Sequence, residues 1–213
     1  MMGLIFASRN LILSKLKLRL AVICASVVII FSQHPAKAHP HIWIDNQIRL
    51  LGNGGKIKAL AVHWRFDQVY STQIRSEFDV NRNNKFDPDE VKNIQATGFA
   101  ALAERNYFAH IYLDNKLMTG FKLSKFNAII ENNSVIYDFT LDLIFMVDPK
   151  SSKTTIGFYD DEYYVDIAYT DKNSVKPEFG GSSLCKYNII TDVKHPIYGG
   201  MFNPKALEIN CEK

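Results

Sequence analysis

The sequence predicts an α+β fold that is mostly β: an antiparallel β-sandwich-like domain interrupted by one helix–loop–helix. Three observations predict it. Apolar and polar residues alternate with period two from Ile42 to Leu50, and again from Lys56 to Phe66. Helical composition takes over between about 67 and 105. From Tyr107 onward short β-rich runs return, each bounded by a turn signal. Hydrophobic residues make up 47% of the 213 and charged ones 22%, which excludes a disordered chain and provides for a core.

The elements follow in order. Residues 1–38 hold five basic side chains (Arg9, Lys15, Lys17, Arg19, Lys37) and no acidic one. Lys15, Lys17 and Arg19 are followed by an apolar stretch from Leu20 to Phe31, then by the small-x-small site Ala36-Lys37-Ala38. That is the order of a secretory signal peptide. The apolar run of about twelve residues is too short to cross a bilayer core of roughly 30 Å. An uncleaved membrane anchor is the competing reading. The expected organisation is a signal over 1–38 and one β-rich domain over 39–213, exported to the periplasm. Without the signal, 20 basic residues face 22 acidic ones. The basic pI of 8.6 therefore gives no reason to expect a nucleic-acid partner.

The first two strands meet at Asn53-Gly54-Gly55, a strong turn. Asp67 marks the change of character. Gln68 to Phe78 and Asp89 to Arg105 read as helices, the second with Val91, Ile94, Ala101 and Leu102 near helical spacing. Strands are then expected over 107–113, 116–123, 127–131, 134–145, 154–159, 163–169, 186–192 and 206–210. Cys185 and Cys211 remain after signal removal, and in an oxidising compartment they suggest one disulfide, worth roughly 3 kcal/mol for a loop of about 25 residues. Two free thiols are the alternative.

Residues 79–90 read Asp-Val-Asn-Arg-Asn-Asn-Lys-Phe-Asp-Pro-Asp-Glu. In a twelve-residue calcium loop, Asp79, Asn81 and Asn83 fall at the first, third and fifth positions. Lys85 supplies a backbone carbonyl at the seventh, Asp87 acts through water at the ninth, and Glu90 is bidentate at the twelfth. Phe86 is apolar, as a residue packing back on the helices should be. Asn84 stands at the sixth position, where glycine is usual, and asparagine tolerates the left-handed turn at some cost. Two neutral asparagines among the donors imply weak affinity. A helix connection that binds nothing is the competing reading.

Cleavage after Ala38 would start the mature chain at His39-Pro40-His41. A free amine with the His39 and His41 imidazoles suits nickel, cobalt, zinc or copper. Pro40 has no amide N–H to give up, so a square-planar amide chelate is incomplete, and the body of the protein must complete the site. His63 is the first candidate for that, with Asp67 and Asp160 behind it. Solvated histidines are the bland alternative. No Ser/His/Asp or Cys/His arrangement is legible, and Asp160, Asp161 and Glu162 read as turn residues, so an enzyme is not expected.

These residues carry a resemblance. The segment His39-Pro40-His41-Ile42-Trp43-Ile44-Asp45 directly after a signal, and Trp64-Arg65-Phe66-Asp67-Gln68-Val69-Tyr70-Ser71, resemble exported bacterial proteins catalogued as domain of unknown function 1007. Phe158-Tyr159-Asp160-Asp161-Glu162-Tyr163-Tyr164-Val165 is similar to a further stretch of that family. The resemblance implies a periplasmic component of an uncharacterised ABC-type transport system, found beside nickel/cobalt-type permeases. The functional expectation is a periplasmic metal-binding accessory protein that assists a membrane permease in transition-metal transport. The alternative is a calcium-stabilised structural or interaction module.

Overall fold

The computed structural model describes residues 40–170, 172–181 and 184–212. The expected signal over 1–38, and His39, lie outside the described residues.

Two sheets enclose one core. Strand β1 (Ile42–Asn53) turns through Gly54 and Gly55 into β2 (Lys56–Phe66), and the two pair antiparallel. Helices α1 (Gln68–Phe78) and α2 (Pro88–Asn93) follow. Then come β3 (Ala109–Leu113), β4 (Lys116–Met118), β5 (Phe121–Glu131), β6 (Ser134–Val147), β7 (Thr154–Phe158) and β8 (Val165–Tyr169). Strands β9 (Val175–Glu178), β10 (Cys185–Thr191) and β11 (Lys205–Cys211) complete the described chain. One sheet runs β5-β6-β2-β1-β8, with β9 also pairing β1; the other runs β10-β11-β7-β3-β4.

The alternation read from β1 is realised. Ile42, Ile44, Ile48 and Leu50 are buried, while Trp43, Asp45, Gln47 and Arg49 face out. Trp64 sits at the centre of the core, with the rings of Phe139 at 4.7 Å and Phe158 at 6.2 Å. Phe139 belongs to the first sheet and Phe158 to the second, so this indole joins the two layers. Its Nε1 donates to Oδ1 of the fully buried Asn46 (3.1 Å), which satisfies the indole N–H.

Four expectations are corrected. The first sheet is mixed rather than antiparallel, because β8 and β9 both lie parallel to β1. The chain reaches them only after strands of the other sheet, so it enters beside β1 by a crossover and not by a hairpin. The single strand expected over 116–123 is two. The chain breaks at Gly120 (φ 107°), leaves the second sheet after β4 and joins the first as β5. The strand β9 was not anticipated. Finally, the helix expected from Asp89 to Arg105 is regular only over α2. It widens to a π-turn over Ile94–Phe99, tightens to 3-10 from Ala100, and leaves helical geometry at Arg105, after which Asn106, Tyr107 and Phe108 take left-handed φ. Ile94 and Phe99 are both buried. They lie five residues apart, a spacing that an α-turn splays and a wider turn aligns on one face.

Cys185 and Cys211 form the expected disulfide. They stand directly opposite each other on β10 and β11. Because β11 lies inside its sheet, the bond fastens the edge strand β10 to it.

Candidate functional site

The loop between α1 and α2 is built around its own side-chain oxygens. Asp79 accepts from the N–H groups of Asn83 and Asn84, both at 3.0 Å. Asn81 accepts from Asn83 N (2.9 Å), and Asn83 from Lys85 N (2.8 Å). Glu90 is only 9% exposed, and its carboxylate closes the loop at both ends. Oε1 accepts from Val80 N (2.8 Å) and Oε2 from Asp87 N (2.9 Å). Asn84 takes a left-handed φ of 61°, as does Arg82 at 59°, and Phe86 packs against the core. The Nδ2 group of Asn81 donates to Asp87 Oδ2 (2.7 Å). Side-chain oxygens of Asp79, Asn81, Asn83, Asp87 and Glu90 thus all accept hydrogen bonds within this one segment. Among the described residues, no three His, Cys, Asp or Glu side chains are grouped to hold a metal ion. The loop's donor set differs in kind, because asparagine and carbonyl oxygens make up half of it.

His41 lies immediately before β1. Its N–H donates to Tyr164 O (2.9 Å) and its ring packs on the Tyr164 ring at 4.7 Å. His63 stands elsewhere. It faces Gln47 across β1–β2, six residues along β1 from His41, or about 20 Å. It pairs instead with Asp138, Nδ1 to Oδ1, at 2.8 Å. The structure therefore does not bring His63 to His41.

The carboxylates considered as further ligands are occupied by the backbone. Asp67 caps α1, with Oδ1 accepting from Val69 N and Tyr70 N, and its Oδ2 accepts from Trp43 N. Asp160 is 3% exposed; its Oδ1 accepts from Glu162 N and its Oδ2 from Tyr164 N and Val165 N. Ser71, fully buried, donates to Phe66 O and accepts from Val135 N. Two of the segments that carry the family resemblance are thus structural staples. One ties β1 to α1 and β6, and the other shapes the turn into β8.

A side-chain cluster that the sequence did not single out lies on the second sheet. His110 stacks on Tyr159 (3.8 Å between centroids), and Tyr112 stacks on His195 (3.5 Å). The Tyr112 and Tyr159 hydroxyls meet at 3.0 Å, and His195 Nδ1 lies 2.7 Å from Asp192 Oδ2. Gly157 makes the room, since a Cβ there would meet the Tyr159 ring at 2.5 Å. Burial lowers the pKa of His110 against a smaller opposing pull from Asp161, and burial raises that of Tyr159. Beside it, Asn106, Tyr107 and Phe108 hold φ of 51°, 55° and 56° in succession. Bulky aromatics in that region store strain. The only signal in the sequence was His110-x-Tyr112, two residues that alternation puts on one face.

Comparison with known proteins places the chain. The family described as Protein of unknown function (DUF1007) matches residues 24–199. The chain belongs to this family. An uncharacterized 15.5 kDa protein in the trpE 3′ region of Spirochaeta aurantia is 29% identical over 99 residues, 46% of this chain and 70% of the relative. The DUF1007 match takes in the Trp64–Ser71 and Phe158–Val165 segments, both of which have a structural task here. Among the described residues, no helix of this DUF1007 chain is long and apolar enough to cross a membrane.

Proposed function

We propose that the protein is an exported, periplasmic metal-binding accessory protein that assists a membrane permease, of ABC type or otherwise, in transition-metal transport. His39, His41 and the terminal amine would take nickel, cobalt, zinc or copper, with imidazole nitrogens as the donors. The observation that carries this reading is the seat of His41. Its backbone is bonded to Tyr164 and its ring is packed on that residue's ring, at the entry to a central strand. A ligand on such footing is positioned before metal arrives. The test is metal titration of the exported protein, its terminus confirmed as His39 by mass. One equivalent of tight transition metal is expected, with loss in His39→Ala and in His41→Ala. Unchanged affinity in both variants refutes the reading.

A second reading rests on a different observation, the buried Glu90 carboxylate closing the loop. We read α1, residues 79–90 and α2 as an EF-hand-like unit in which Asp79, Asn81, Asn83, the Lys85 carbonyl, Asp87 and Glu90 take Ca2+. Calcium would then stabilise a structural or interaction module with no transition-metal role. Calcium at a hundred times its Kd should add about 2.7 kcal/mol, raising Tm by roughly 5–10 °C. Glu90→Gln should abolish the rise. An identical Tm in calcium and in chelator rejects this reading.

A further inference from the structure

A cavity of about 190 Å³ lies between the first sheet and the helical segment. Trp64 and Phe66 of β2, Tyr137 of β6 and Phe99 of the π-turn give it aromatic walls. Phe66 contacts both Tyr70 and Tyr137, with ring centroids 5.4 and 4.8 Å away. Phe99 meets Tyr137 edge to face at 6.0 Å. The π-turn shapes the opening. It buries Phe99 and leaves Gly98 exposed, where a Cβ would stand 3.9 Å from the Phe78 ring. A larger side chain at 98 would therefore reach toward α1 and narrow the mouth. Wide turns of this kind recur at functional sites.

The polar groups come mostly from one side. Tyr70, Gln73 and Glu77 all line the cavity, and their spacing puts them on one face of α1. Glu77 is exposed and makes no ion pair among the described residues. Burial raises the pKa of the Tyr70 and Tyr137 hydroxyls, and the negative charge of Glu77 raises both further. The carboxylate thus stands near both hydroxyls. No Lys, Arg or His is among the residues that line the cavity.

Walls and charge together select the ligand. An anion meets the Glu77 carboxylate with no lining cation to offset it. A metal ion needs several oxygen ligands, and the cavity offers a single carboxylate. A neutral apolar molecule suits the walls and leaves Glu77 without a counter-ion. A cation with an apolar body answers both, since aromatic faces attract positive charge. Volume sets its size, because a cavity of about 150 Å³ takes benzene. We propose that this cavity binds a small organic ammonium ion carrying one aromatic or short alkyl group. It uses no residue of either candidate metal site, so its failure leaves both metal readings standing.

The test is calorimetric titration of the protein near neutral pH and at low ionic strength with benzylammonium, beside benzyl alcohol and benzoate. Saturable one-to-one binding of benzylammonium is expected, about tenfold tighter than benzyl alcohol, with none of benzoate. Glu77→Gln should weaken it about tenfold, a change of about 1.4 kcal/mol, and bring it level with the alcohol. Gly98→Leu, which fills the mouth and favours helix, should abolish it. Glu77 is exposed and its replacement keeps the side chain's shape, so that variant folds even if Gly98→Leu does not. Absence of saturable benzylammonium binding overturns the proposal. So does equal binding of benzyl alcohol or benzoate, or an affinity unchanged in Glu77→Gln.

Discussion

Replacing Asp67 with alanine removes three hydrogen bonds at once. Two are the helix cap to Val69 N (2.8 Å) and Tyr70 N (3.0 Å); the third reaches Trp43 N (3.0 Å) at the start of β1. Loss of an N-cap costs about 1–2 kcal/mol, and loss of one further hydrogen bond about 1 kcal/mol. The sum is about 2–3 kcal/mol. At 2–4 °C per kcal/mol for a domain of this size, Tm should fall by roughly 4–12 °C. Urea unfolding is the assay, read as a lower midpoint with an unchanged slope. Asp67→Asn should lose about half as much, since its amide oxygen can still cap α1 while the NH2 group faces Trp43 N–H. Metal titration of the same variants completes the experiment. A stability change under about 0.5 kcal/mol would refute the staple argument. If it came with weakened transition-metal binding, Asp67 would be a ligand and not a cap.

Two further predictions concern pH and redox. His110 has a pKa lowered by burial from its ordinary 6.5, so the unfolded chain binds more protons than the folded one just below that pH. Stability contributed by keeping the ring neutral is therefore full above about pH 6.5 and declines as pH falls below it; His110→Gln should flatten that part of a stability–pH curve, and an unchanged slope would count against it. Reducing Cys185–Cys211, which closes a separation of 26 residues, should cost about 3.5 kcal/mol and lower Tm by roughly 7–14 °C. Equal Tm with and without reductant would show that pairing between β10 and β11 suffices.

Much of the local structure was legible in the order of residues. Alternation placed β1 and β2, because a half-buried strand writes its burial into every second residue. Spacing of oxygen-bearing side chains placed the 79–90 loop, and the left-handed φ of Asn84 follows from the residue type that tolerates it. The expectation of an oxidising compartment, with two cysteines left outside the expected signal, named the disulfide. These features depend on neighbours within a dozen residues, or on a pairing with no competitor.

Which residues meet across the sheets was not legible before folding. Strand register sets His63 against Asp138 and about 20 Å from His41, and register follows from hydrogen-bonded partners distant in sequence. The parallel placement of β8 and β9 beside β1 depends on a crossover between layers, which no local pattern encodes. The His110–Tyr159 and Tyr112–His195 stacks join residues 49 and 83 positions apart. In the sequence, Asp67 and Asp160 stand as weaker ligand candidates, Asp160 also as a turn residue. Folding surrounds them with backbone N–H groups that need acceptors, and a buried donor without one is costly. Accepting those hydrogen bonds is the task the fold gives them.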